Sequence, residues 1–296
     1  MELLDNLFDY ERKPSAGEAI FFKIFELFVA LASVKLAWEW GLYTLRISDV
    51  VLPLGMARYV DVSFMFDGRL PLANAGAITV LVVIGFFRLW RGAYLGAFLL
   101  LHLQYAARFS LGEIPHSSNM LGMTLLGLAI ALLVFRDGLH RRRFTLGFTY
   151  FFVGLGYTLA GISKLIGTGL NWSDGRHLWL WVYEKSVDNL AKTGTYDLNV
   201  LQELVLSGQG TATAFLTVGL LTELFAFLAW WKRTRTPALL AVIALHIGIY
   251  LVMNIFFTLA VYELVLLALP WAAWLDALTA RQPWMHGIER VSIRYT

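Results

Sequence analysis

Continuous apolar stretches of roughly 15–22 residues recur along this chain, about the length at which an α-helix spans hydrocarbon. "AIFFKIFELFVALASVKLAW" at 19–38 and "TATAFLTVGLLTELFAFLAWW" at 211–231 are typical. In lipid the backbone of such a run must satisfy its own hydrogen bonds, and a helix does so within one segment. The runs are continuous rather than alternating, which argues against strands. Of the 296 residues, 58 % are hydrophobic and 15 % charged; a soluble chain carries about a quarter charged residues. The expected fold is an all-α integral membrane protein, a bundle of about eight transmembrane helices.

The spans expected from hydropathy are about 19–38, 76–87, 92–107, 120–135, 144–164, 211–231, 237–257 and 260–275. One domain over 1–296 is the simplest description, with no internal repeat, low-complexity tract or linker. The opening "MELLDNLFDYERKPS" lacks an apolar core and a small-residue cleavage site, so no cleavable signal peptide is expected.

Charge supplies an orientation. With the N-terminus in the cytoplasm, Arg12, Lys13, Arg88, Arg91, the "RDGLHRRR" and "KRTR" segments and the tail residues Arg281, Arg290 and Arg294 all fall inside. That puts about fourteen Lys/Arg inside against about seven in the opposite loops, as the positive-inside rule requires. Both termini are then cytoplasmic, and the long segments 39–75 and 165–210 face outward. The net charge of +3 is the mark of cytoplasmic loops rather than of an acidic partner. No basic stripe interleaved with aromatics points to nucleic acid.

The chain has no cysteine, which excludes disulfides, thiolate catalysis and cysteine-ligated metal. Its six histidines are scattered, without metal-binding spacing, so no metal is expected. Nucleotide-binding glycine loops and the nucleophile elbow are also missing from the sequence.

Polar groups inside apolar spans are costly and usually face a protein interior. Gly147, Tyr150, Gly154, Tyr157, Gly161 and Lys164 follow at steps of three and four, which puts them on one helix face. Small residues on such a face let helices approach closely. Lys164 should therefore point into the bundle; the alternative is an ordinary interfacial lysine at a helix end. His246, Tyr250 and Asn254 recur at i, i+4 and i+8, which suggests an interior polar seam, although a lone intramembrane histidine is more often a packing residue. Glu223 lies near mid-membrane, as a structural carboxylate or a paired one. Lys23 and Glu26 are most simply an internal ion pair. His116, in "LGEIPHSSNM", precedes a span; in isolation it is as readily a surface residue as a functional one.

Several of these segments resemble one family. "YTLAGISKL", followed closely by "NWSDG", is similar to the signature of the vitamin K-dependent γ-glutamyl carboxylases and their bacterial relatives, the horizontally transferred transmembrane (HTTM) proteins. "PHSSNMLGMTLLGL", "LLTELFAFLAWW", "ALHIGIYLVMNIFF" and "SAGEAIFFKIFELFVAL" resemble other spans of that family, with Lys23 where an arginine is usual. The large extra-membrane domain of the animal carboxylase is not expected here.

The resemblance implies a reaction. Lys164 falls on the catalytic base that deprotonates a reduced vitamin K or menaquinol-type naphthoquinone, and His116 on a second catalytic position. Oxygen and carbon dioxide are the implied co-substrates. A Glu-containing peptide or a small molecule would arrive from the outer side, and lipid and quinone from the membrane. Tyr157 and Tyr150 would line the ring pocket, Trp172 and Asp174 its rim, and His246, Asn254 and Glu223 the interior seam. The implied location is a bacterial inner membrane, with the site toward the periplasm. Two other readings stay open: a quinone- or lipid-binding membrane component without carboxylation, and a transporter or scaffold. The last lacks repeat symmetry in its hydropathy.

Overall fold

The computed structural model describes residues 2–46, 51–112 and 116–280, the side chains of 116–118 excepted. Among these the regular structure is entirely helical: α1 (Glu2–Phe8), α2 (Ala16–Thr44), α3 (Leu70–Phe86), α4 (Ala93–Phe109), α5 (His116–Val134), α6 (Gly138–Thr168), α7 (Gly175–Thr193), α8 (Val200–Leu206), α9 (Gln209–Leu224), α10 (Lys232–Met253), α11 (Thr258–Ala268) and α12 (Trp271–Ala280). By length and composition three helical runs, 138–173, 209–230 and 232–253, can cross a membrane, or four if α11 and α12 count as one broken span. An integral membrane bundle is therefore a plausible architecture. The tail arginines Arg281, Arg290 and Arg294 lie outside the described residues.

Several expected boundaries need correction. The seventh run was expected to reach Phe257, but α10 ends at Met253 because Asn254 turns left-handed, at φ +53°. The eighth is interrupted at Leu269–Pro270, where proline has no N–H to continue a helix. The sixth is α9 followed by a 3₁₀ turn, Ala226–Trp230. The segment 165–210, expected to face outward, itself holds α7 and α8.

The helices form two compact units, residues 1–149 with 269–296, and residues 150–268. In the first, α2 carries five charged residues within its 29, and four of them pair locally. Lys35 meets Glu39 at 2.5 Å, and Lys23 meets Glu26 at 3.2 Å. Glu26 is fully buried and also takes the Arg88 guanidinium in a two-pronged contact, with the Tyr94 hydroxyl at 2.8 Å. Gly85 makes room, because a Cβ there would stand 2.8 Å from the Tyr94 ring.

Arg88 ends α3 in a Schellman arrangement. Its N–H donates to Gly85 O, and that of Leu89 to Ile84 O, each at 3.0 Å. The left-handed residue of that motif is usually glycine; here it is arginine at φ +60°. A side chain in that conformation costs about 1–2 kcal/mol, which the contact with Glu26 offsets.

In the second unit the small-residue face of α6 packs as its spacing predicts. A Cβ on Gly154 would meet the Trp230 indole nitrogen at 2.4 Å, and one on Gly161 the Leu224 side chain at 3.0 Å. Trp230 donates to Phe151 O at 3.0 Å. Where α9 breaks after Leu224, Thr158 accepts from the Phe227 N–H at 3.1 Å. That docking brings the last turn of α9, and with it Glu223, against the end of α6.

Candidate functional site

Lys164 lies one turn before the end of α6, and Glu223 in the last turn of α9. The Lys164 ammonium is 2.5 Å from each oxygen of the Glu223 carboxylate. The Lys164 side chain is 28 % exposed and that of Glu223 11 %, so the amine is reachable while the carboxylate is mostly enclosed. Beyond α6 the chain turns through a 3₁₀ segment, Gly169–Ser173, which folds Trp172 back over the amine at 4.5 Å from the ring centre. The aromatic face adds a cation–π contact to the ion pair. One partly exposed cation is thus held between a carboxylate and an indole near the end of α6.

The "WSDG" turn positions Trp172. Asp174 caps α7 by accepting the Arg176 N–H at 3.0 Å, and it also receives the Arg176 guanidinium and the Gln209 amide. Those hydrogen bonds, the Arg176 ones foremost, hold the Asp174 carboxyl well below the usual carboxylate range. Gly175 sits directly on α9, where a Cβ would stand 2.4 Å from Gln209 O, and its N–H donates to Thr213 at 3.0 Å. Leu178 and Val182 of α7 pack with Val205, Ala212, Leu216 and Val252, with Trp172, Trp179 and Trp181 against them. Asp174 is thus a helix cap that fixes the rim rather than a group facing the amine.

A second polar pair lies deeper. The Tyr157 hydroxyl and His246 Nε2 are 2.5 Å apart, and His246 also packs edge-on against Phe257. Seven residues separate Tyr157 from Lys164 on the same face, about 10 Å along the helix. Glu263 of α11 is fully buried and close enough to act electrostatically on Tyr157.

The other expected site residues are placed elsewhere. Tyr150 is on the same face, but about 21 Å along the axis from Lys164. Its hydroxyl donates to Leu267 O at 3.1 Å and its ring carries the Arg235 guanidinium at 3.9 Å, so it does not line a pocket at the lysine. Tyr250, inside α10, is exposed, and Asn254, past the end of that helix, is exposed too, so of the three expected seam residues only His246 is buried. His116 opens α5 in the first unit, and its side chain lies outside the described residues. Thr158 and Arg235, which support the second unit, carry no distinctive local signal: one is a polar residue in an apolar run, the other belongs to the charged "KRTR" segment. Among the described residues no group of three or more His, Asp or Glu is placed to hold a metal ion. Comparison with family models, with curated proteins and with solved structures finds no match to this chain.

Proposed function

We propose that the chain is a membrane-embedded enzyme of the vitamin K-dependent carboxylase type, in which the Lys164 amine accepts the hydroxyl proton of a reduced naphthoquinone. In this reading it is a bacterial inner-membrane bundle of eight spans, with both termini cytoplasmic and the site toward the periplasmic side. The observation that carries the reading is the hold on Lys164 by the Glu223 carboxylate and the Trp172 ring.

A base needs a free electron pair, and a lysine is ordinarily protonated at neutral pH. Glu223 answers that requirement. Passing the shared proton to the carboxylate leaves a neutral amine beside a neutral acid, and two neutral groups cost less in an apolar interior than two charges. Lys164 then takes up a proton at Nζ while Glu223 holds the first. Trp172 offers a flat face on which a planar ring can stack. The Tyr157–His246 pair can orient a polar group or pass a proton deeper in the bundle. These residues suit a quinol: an acid–base pair and a phenol–imidazole pair on apolar helices, and an aromatic platform on the turn that follows one of them. When bound, the reduced quinone supplies, with oxygen, the strong base that removes a proton from a glutamate γ-carbon, to which carbon dioxide adds. The acceptor is a Glu-containing peptide or a small molecule from the outer side.

A second reading, a quinone- or lipid-binding component without carboxylation, draws support from the same geometry. Both carboxylate oxygens engage the amine, as they would in a permanent ion pair that only binds. The experiment separating the two follows oxidation of a reduced naphthoquinone, and incorporation of carbon dioxide into a Glu-containing peptide, by the protein in lipid nanodiscs. Lys164→Ala should abolish turnover with the protein still folded. Lys164→Arg should be as inactive, because guanidinium stays protonated. Full activity in Lys164→Arg would end the base reading. Quinol oxidation without carboxylation would favour the second.

A further inference from the structure

The connection between α3 and α4 reads "FRLWRG" at 87–92, alternating apolar and cationic residues. In a turn facing water the arginines would stand outward and the apolar groups would fold in. Here neither arginine extends freely into solvent, and the apolar groups stand out. Arg88 turns back to the buried Glu26, and Arg91 reaches to Leu132 O and Leu133 O at 2.8 Å and to Phe135 O at 3.2 Å, capping the end of α5. Phe87, Leu89 and Trp90 stand out instead, at 65 %, 74 % and 56 % exposure. Isolated exposed apolar residues need no explanation. Three within four positions, with Arg88 turned back to a buried carboxylate and the exposed Arg91 tied to backbone carbonyls, do.

We propose that residues 87–92 form an interfacial anchor seated in the headgroup layer of an anionic leaflet, with Phe87, Leu89 and Trp90 in lipid. Three observations select the bilayer as the occupant. The turn directly follows α3, a 17-residue apolar helix without a charged residue, and so stands at the edge of an apolar layer. Tryptophan favours the headgroup level, where its ring is in the apolar layer and its N–H in the wet one. The local charge is in surplus among the described residues: Lys23 and Arg88 share the single carboxylate of Glu26, while the Arg91 contacts described are to neutral carbonyls. Lys23 remains partly exposed, with its ammonium 5.2 Å from the centre of the Phe86 ring. That excess of positive charge beside an apolar turn is complementary to lipid phosphates, which attract basic groups near the surface. Gly92 completes the device, because a Cβ there would stand 2.7 Å from the Trp90 ring that folds over it.

The absence of cysteine makes the test clean. Leu89→Cys is an exposed substitution that disturbs no packing, and it carries a single nitroxide without background. Glu11→Cys, in the exposed turn after α1, serves as the aqueous control. The protein is placed in nanodiscs of phosphatidylcholine with or without phosphatidylglycerol, and collisions with oxygen and with a water-soluble nickel chelate are measured by power saturation. The expected result is an oxygen-to-nickel ratio severalfold higher at 89 than at 11, rising further with phosphatidylglycerol. Trp90→Cys should behave as Leu89→Cys. Equal nickel access at 89 and 11 would overturn the proposal. Dipolar broadening between labels would overturn it too, since a second copy of the chain would then cover the turn. A ratio indifferent to anionic lipid would overturn the assignment to an anionic leaflet.

Discussion

The Lys164 ammonium stands 2.5 Å from both oxygens of Glu223, a residue on another helix and 59 positions away in the chain. This pairing gives Glu223 a role that can be measured. If it stores the proton that frees the amine, Glu223→Gln should lower quinol turnover by about 10²–10⁴-fold, the range of a positioned acid–base group. The substitution also leaves a cation without its partner. Breaking a fully buried pair costs about 3–5 kcal/mol; Lys164 is 28 % exposed, so the loss of stability should be smaller. Thermal unfolding in detergent reads that part separately. Glu223→Gln with full turnover would leave the carboxylate a purely structural partner.

His116 enters through the resemblance alone, and its effect should be graded. His116→Ala should weaken turnover without abolishing it, because a group that positions a substrate contributes less than the base itself. Turnover as low as that of Lys164→Ala would instead make His116 an obligate acid or base.

Tyr157→Phe removes one hydroxyl from the 2.5 Å contact with His246 and leaves the ring in place. The stability cost should be about 0.5–1.5 kcal/mol, that of one intramolecular hydrogen bond. If the pair belongs to the working site, turnover falls as well. Unchanged turnover with the stability loss would assign the pair to packing.

How much of this was legible depended on whether one helix or several determined the outcome. The face shared by Gly154, Tyr157, Gly161 and Lys164 follows from helix geometry alone, and the glycines do meet α9 and the turn after it. The same reasoning failed at Asn254, since it assumed a helix that a left-handed residue had already ended. The partnership of Lys164 with Glu223 was not readable, because it requires α9 to stop at Leu224 and Thr158 to dock the chain that follows. Helix α7 was hidden by its charges: Arg176, Glu184, Lys185, Asp188 and Lys192 break up any apolar run, while Leu178, Val182 and Ser186 form its buried stripe at four-residue spacing. Arg88 and Arg91 count as loop charges in any tally of inside and outside, and a tally carries no information on which way side chains turn.

Arg88 offers a test in which backbone and side chain pull in opposite directions. Glycine suits its left-handed conformation better by about 1–2 kcal/mol. Arg88→Gly also strips the fully buried Glu26 of its two-pronged partner, and removing one member of a buried pair costs about 3–5 kcal/mol. The second effect is larger, so the variant should unfold at a lower temperature than the parent. Arg88→Lys, which keeps the charge but not the fork, should fall between them. A more stable Arg88→Gly variant would mean that Lys23 and Tyr94 suffice for Glu26.

Asp174 makes a pH-dependent prediction outside the spans. Arg176, through its side chain and its N–H, and then Gln209 hold the carboxyl below its ordinary range. A carboxyl depressed by folding contributes stability above its unfolded value, near pH 4. That contribution is lost as pH falls through the lower, folded value. Asp174→Ala should therefore lower the unfolding midpoint at neutral pH, and the gap to the parent should narrow as the pH is taken below about 4. Because Asp174 caps α7 where Gly175 meets α9, the variant should also loosen Trp172 over Lys164. Quenching of tryptophan fluorescence by iodide, compared between the parent and Asp174→Ala, reads that change. A midpoint gap that stays constant through the acidic range would show that Asp174 acts by hydrogen bonds indifferent to its charge.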